Sequence, residues 1–226
     1  MIMHQTFVLL AITLGAYQVG IRIERRYPMV PAILWTVVLL AAILPLAGVS
    51  DSLFAHKISL LTVVLGPATV ALAVPVYRHR EILKRAKKPI LSGIVGGSIV
   101  GMMVSGGLAF LWPAPHWLVN TVIPKAATTP IAMGVLHQLG GNVSLGTALT
   151  VMAGLFGAIT GPPLLRLLGI KSPMVEGVAM GTSASGIGTA RMIRESDIKG
   201  SISAVAMALS GIAIAVLAPW VSQLWR

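Results

Sequence analysis

Apolar residues come along this chain in runs of roughly 18 or more, the length a helix needs to cross ~30 Å of hydrocarbon. Polar positions collect in the short stretches between. The runs predict spans over Gln5–Ile21, Val30–Leu46, Ser59–Tyr77, Pro89–Trp112, Leu145–Leu165 and Ser201–Trp225. Two shorter segments, Trp117–Leu139 and Pro173–Ala190, are interrupted by Gly, Pro and Thr. None of the runs alternates apolar and polar residues as the strands of a membrane barrel do. The pattern therefore predicts an all-α polytopic membrane protein with six to eight transmembrane segments, two of them broken or re-entrant, in a single transmembrane domain over 1–226.

Composition agrees. Only 10% of the 226 residues are charged, against about 25% in soluble domains, and mean hydropathy is +0.88. A net charge of +11 in a soluble chain would point to nucleic acid. In a membrane protein it reads as basic cytoplasmic loops facing anionic lipid, so the bilayer is the expected partner and nucleic acid is not. Cysteine is absent, which excludes disulfides and thiolate metal sites. The start "MIMHQTFVLL" has no basic region before its apolar run, so no cleavable leader is expected.

Basic residues orient the spans. Arg22, Arg25 and Arg26 follow the first, and Arg78, Arg80, Lys84, Arg85, Lys87 and Lys88 follow the third. Both loops are expected on the cytoplasmic side of the bacterial inner membrane, with the N-terminus outside. If both interrupted segments re-enter, the chain crosses six times, and Arg166 and Lys171 are cytoplasmic. If both cross, the count is eight and those two are outside. The charge rule leans toward six.

The interrupted segments carry the candidate chemistry. In "PKAATTPIAMG" (124–134) Thr129 precedes Pro130; Pro favours the first helical position and Thr is an acceptable N-cap, so a new helix is expected to start there. In "GTSASGIGTA" (181–190) Gly181, Gly186 and Gly188 permit positive φ or close approach, and Thr182, Ser183, Ser185 and Thr189 carry hydroxyls. Non-helical backbone at membrane depth is tolerated only inside protein or beside a wet cavity. Helix N-termini there suit an anion, and discontinuous helices mark binding sites in transporters. The plainer reading, kinks and packing residues, suits one such motif better than two. A third candidate break, "LGPATVALAVPVY" (65–77), reads as a kinked helix beside the site.

Lys125 is the only formal charge between Lys88 and Arg166. A charge at a helix centre costs about 2.5–3.5 kcal/mol on insertion scales. It either pairs with an anionic substrate or snorkels to the interface. His137 reads as a loop cap, Glu176 as a carboxylate favouring its helix N-terminus, and Arg191 as a boundary residue. The chain holds no catalytic motif, and with no Asp or Glu expected to be buried, no carboxylate ion site. It is read as not an enzyme, with no cofactor and no metal. Small residues recur at Gly93, Gly97 and Gly101 and at Gly157 and Gly161. They allow close helix approach, within the chain or across a homodimer interface.

The three motifs, in this order and spacing, resemble those of the LrgB/CidB family, and the resemblance runs from the second span onward. A similar domain occurs in the plastidic glycolate/glycerate transporter. The resemblance implies either antiholin-like control of murein hydrolases and autolysis or transport of a small monocarboxylate (pyruvate, glycolate or glycerate type), alongside an LrgA/CidA-like membrane partner. It also implies a distant similarity to antiporters whose broken helices cross the membrane. One departure stands out: relatives often carry histidine where this chain has Ser185. The substrate-binding residues read from motif and resemblance together are Lys125, Thr128, Thr129, Pro130, Gly181, Thr182, Ser185, Gly188 and Thr189. The reading preferred here is a carrier, with lysis control as the alternative.

Overall fold

A computed structural model describes residues 2–27, 30–49, 54, 70, 71 and 73–225. It is largely helical, with no strand among the described residues, as the apolar runs require. Chain contacts divide it into two compact units, 1–72 and 73–226. Most of the predicted third span, and with it Gly66, Pro67 and Thr69, lies outside the described residues.

The first unit holds α1 (Ile2–Arg26) and α2 (Ala32–Leu46). The two approach closely at Gly20, where a Cβ would lie 2.5 Å from the Ala32 carbonyl oxygen. Helix α1 continues past its predicted end at Ile21 because Arg22, Glu24, Arg25 and Arg26 favour helix as readily as solvent.

The second unit begins with short helices α3 (Ala73–Arg78) and α4 (Arg80–Arg85), which lead into α5 (Lys87–Leu111). Then come α6 (His116–Val122), a 3₁₀ turn (Ile123–Ala126), α7 (Thr129–Leu139), α8 (Val143–Leu167), α9 (Pro173–Glu195) and α10 (Asp197–Gln223). Helices α1 (from Thr6), α5, α8 and α10 are each long and apolar enough to cross a bilayer, and α2 is a shorter apolar helix.

Both interrupted segments fold back on themselves. In the first, Asn120 Nδ2 donates to the Leu139 carbonyl at 2.8 Å, and the Asn142 amide donates to Thr121 Oγ1 at 2.8 Å. The last turn of α6 and the end of α7 therefore lie side by side, and the segment is a hairpin with its tip near Ala127. In the second, Lys199 Nζ lies 2.5 Å from Glu176 Oε2 and 3.1 Å from Glu195 Oε2. A straight helix would hold those carboxylates about 28 Å apart at 1.5 Å per residue. The Gly188 Cβ position also falls 2.8 Å from the Met180 carbonyl oxygen, eight residues back. Helix α9 is thus a hairpin with its tip at Ser185.

The hairpins enter from opposite ends. The first starts where α5 ends and returns to where α8 begins; the second starts where α8 ends and returns to where α10 begins. Met102, Ile123, Ala127, Ala132, Ile214 and Ala218 pack the first against α5 and α10. The inbound arm of the second is gripped on three sides by small residues. Cβ positions of Gly93 and Gly97 in α5 lie 3.3 Å from Val178 and Thr182. Those of Gly157 and Gly161 in α8 abut Ala184 and Met180, and Gly181 itself abuts the Ser203 carbonyl of α10. Gly93, Gly97, Gly157 and Gly161 of the small-residue stripes thus serve packing within the chain. Folding back also gathers Arg78 to Lys88, Arg166, Lys171, Arg191, Arg194 and Lys199 at one end of the unit, the arrangement of the six-crossing alternative.

Candidate functional site

The backbone leaves helical geometry at both hairpin tips. At the first, the 3₁₀ turn ends at Ala127 (φ −74°, ψ 169°), and Thr128 is also extended (φ −68°, ψ 148°). Two consecutive extended residues reset the chain direction, and α7 begins at Thr129. The N-cap position therefore belongs to Thr128, not to Thr129 as expected. Its side chain makes no capping bond, because Pro130, at N2, has no N–H to offer one of the usual partners. The first intrahelical bond runs from Ala132 to the Thr128 carbonyl at 2.8 Å.

At the second tip the positive φ falls on Ser185 (φ 48°, ψ −134°) and on none of the three glycines that would permit positive φ or close approach. Gly181 and Gly188 instead permit close approach, one to α10 and the other to Met180 and Ala184 across the tip. An L-residue in this region carries strain of about 1–3 kcal/mol and persists only where its surroundings over-determine it. Here packing of Ala184 against Gly157 and of Gly188 against Ala184 fixes both sides of the turn.

A cavity of about 660 Å³ lies between α5, the inbound arm of the second hairpin and the tip of the first. It runs along α5 from Pro89 to Val104 and along α9 from Met174 to Ser183, and reaches Lys125 and Ala126. Lys125 is the only charged residue among the described residues that line it. Among the described residues no hydrogen bond or ion pair engages that ammonium. Thr182, which also lines the cavity, is 6% exposed, and its hydroxyl has no partner among the described residues; Ser185, 7% exposed, finds none there either. Buried hydroxyls nearly always find partners. Two orphans three residues apart, one in a cavity wall and one at a strained turn, are the polar atoms most ready to receive a ligand.

The nine residues read from the sequence do not all converge. Lys125 and Thr182 share the cavity, and Ser185 sits at the hairpin tip one turn beyond. Thr128 and Thr129 are half-buried at the start of α7, and Pro130 is exposed. Thr189 faces α10, where its hydroxyl pairs with Ser203 Oγ at 2.9 Å. His137 is exposed in the last turn of α7.

One feature went unanticipated. Glu176 is 6% exposed, so the expectation of no buried carboxylate does not hold. Its partner Lys199 comes from the next helix and also takes Glu195, which in turn lies 3.4 Å from Arg191. The Glu195–Lys199 spacing of four residues was a visible local signal; the pairing across 23 residues was not.

The sequence profile of the LrgB-like family matches residues 13–224. The chain is 30% identical to the uncharacterized protein YxaC of Bacillus subtilis, over 97% of this chain and 96% of that protein. It is 32% identical to the uncharacterized protein YwbG of the same organism, over 95% and 94%. An uncharacterized protein of Haemophilus influenzae is 33% identical over 94% and 93%. No solved structure matches the chain.

Proposed function

The chain belongs to the LrgB-like family, and from that premise we propose that it is a membrane carrier for a small monocarboxylate, working beside an LrgA-like partner in the inner membrane. The observation that carries this reading is the shared cavity, in which an unpaired ammonium from one hairpin tip and an unpaired buried hydroxyl from the other hairpin meet. An ammonium at such depth is costly without a counter-charge, and a carboxylate supplies one. Helix α7 adds its N-terminal dipole at the same tip.

Weak, multi-donor binding suits a carrier, because the substrate must leave as readily as it enters. The cavity runs from Lys125 toward the end of the unit that bears the basic residues. By the positive-inside rule that end is cytoplasmic, so the arrangement described is an inward-facing one. No covalent step is proposed, and the hydroxyls act as hydrogen-bond donors only.

The test is uptake of labelled pyruvate, glycolate and glycerate by the purified protein in proteoliposomes, with and without the LrgA-like partner. Saturable flux in either preparation supports the carrier. Flux absent from both, with the protein folded, favours control of murein hydrolase activity without transport.

A further inference from the structure

The walls of the cavity specify more than a carboxylate. Beyond Lys125 they offer two hydroxyls, and one of these is taken: Ser183 Oγ donates to the Ala179 carbonyl at 2.7 Å. Among the described residues that leaves a single charge and a single free hydroxyl, Thr182. The remaining surface is hydrocarbon, with Ile90, Val100, Val104, Val175 and Val178 among the lining residues. A bound acid therefore finds compensation for one carboxylate and one further polar atom. A second carboxylate, or a row of hydroxyls, would be stripped of water with nothing to pair. The cavity, at about 660 Å³, also exceeds the needs of a three-carbon acid, since a liquid water occupies about 30 Å³.

One residue in the wall has no packing reason for its size. Gly93 and Gly97 accommodate Val178 and Thr182 at 3.3 Å, whereas a Cβ added at Gly101 meets nothing within 4 Å among the described residues. Gly101 sits mid-helix in α5, where glycine is unfavourable by roughly 0.5–1 kcal/mol relative to alanine, and it lines the cavity. Its missing side chain keeps open space.

We propose that the cavity selects monocarboxylates with an apolar tail of several carbons over polyhydroxy acids and dicarboxylates, and that Gly101 sets the tail length it accepts. This rests on the carrier reading above. A Cβ at Gly101 meets none of the described residues within 4 Å, so a larger side chain there would take up the tail's room and act as a stop. Longer acids would lose contact area and shorter ones would not.

The experiment uses the full chain in proteoliposomes, with labelled propionate, 4-methyl-2-oxopentanoate and glycerate as probes and succinate as competitor. The wild type should take up 4-methyl-2-oxopentanoate with a half-saturation at least 10-fold below that for glycerate, and succinate should not compete. Gly101→Leu should raise the half-saturation for the six-carbon acid roughly 10-fold and leave propionate within 2-fold. Equal or better handling of glycerate overturns the proposal, and so does a Gly101→Leu effect that is the same on long and short acids. If no acid is carried at all, the carrier reading falls separately. The same acids are then compared as thermal stabilisers of the detergent-solubilised protein. Stabilisation by hexanoate but not glycerate, lost in Gly101→Leu, supports the selectivity. Stabilisation by none, or stabilisation that keeps growing beyond ten carbons as in a lipid groove, overturns it.

Discussion

Glu176 and Lys199 stand 23 residues apart in sequence and 2.5 Å apart in space, and their pairing closes the base of the second hairpin. Glu195 joins from the opposite arm at 3.1 Å, so one lysine from α10 clasps both ends of a structure that would otherwise splay. Removing the lysine leaves two carboxylates facing each other, one of them buried. Lys199→Met should therefore lower stability by roughly 3 kcal/mol, the low end for a broken buried pair, because Lys199 keeps 19% of its side chain exposed. The triple change Glu176→Gln, Glu195→Gln and Lys199→Met should recover much of this. The measurement is thermal unfolding in detergent, and a single mutant as stable as wild type would show that the clasp holds nothing.

Ser185 should separate scaffold from site. Glycine adopts φ 48° without steric cost, so Ser185→Gly relieves strain and removes an unpaired hydroxyl. Thermal stability should hold or rise by about 1 kcal/mol, while affinity for the acid falls. Ser185→Val, β-branched at the same φ, should destabilise. Unfolding curves for both variants, beside uptake for Ser185→Gly, decide it; unchanged uptake would place Ser185 outside the site.

Two threonines of the same hairpin predict opposite behaviour. Thr182→Val removes an orphan hydroxyl from the cavity wall. It should cost nothing in stability, and it should weaken acid binding by a hydrogen bond to a charged group, about 1.5–3 kcal/mol or roughly 10- to 150-fold. Thr189→Val breaks the bond to Ser203 and leaves that hydroxyl buried. It should cost about 1–3 kcal/mol of stability with half-saturation unchanged. Both variants losing affinity, or both losing only stability, would contradict the division.

The topology was legible in part, for reasons particular residues make plain. Hydrocarbon length sets the spans, so α5 and α8 fall within two residues of their predicted bounds. Helix α10 begins four residues earlier than predicted, at Asp197, because Lys199 finds partners that no local window contains. The breaks were visible as Pro130 beside two threonines and as the run of hydroxyls after Gly181. Whether those breaks turn the chain back was not visible, since it depends on contacts such as Asn120 with Leu139 and Lys199 with Glu176. The glycines beside Ser185 drew attention to the right turn and the wrong residue: sequence marks where positive φ is cheap, while packing against Gly157 decides where it falls.

Re-entry itself can be tested, because the chain has no cysteine. Single cysteines at Arg80, Lys171, His116 and Gln138 report both ends of the second unit. If both hairpins re-enter and the basic end is cytoplasmic, an impermeant thiol reagent on intact cells should label 116 and 138 and spare 80 and 171. Labelling at 171 with 80 protected would mean that the hairpins cross.

Lys125 carries the sharpest prediction. It stands in the cavity wall, half-buried, between Pro124 and the extended residues that follow. If its ammonium pairs with the substrate carboxylate, Lys125→Met should leave expression and stability intact, because a costly charge is replaced by a flexible apolar chain of similar length. The same change should raise the half-saturation for acids strongly, since losing one partner of a desolvated charge pair costs about 2–5 kcal/mol. Lys125→Arg should also impair uptake, because a planar fork does not replace a compact ammonium at a tight turn. An outward-snorkelling lysine predicts a different result: both variants near wild type, with no change in concentration dependence. Uptake against concentration for wild type and both variants distinguishes the two. Wild-type half-saturation in Lys125→Met would remove the lysine from the site and leave the anion to the N-terminus of α7 and the Thr182 and Ser185 hydroxyls.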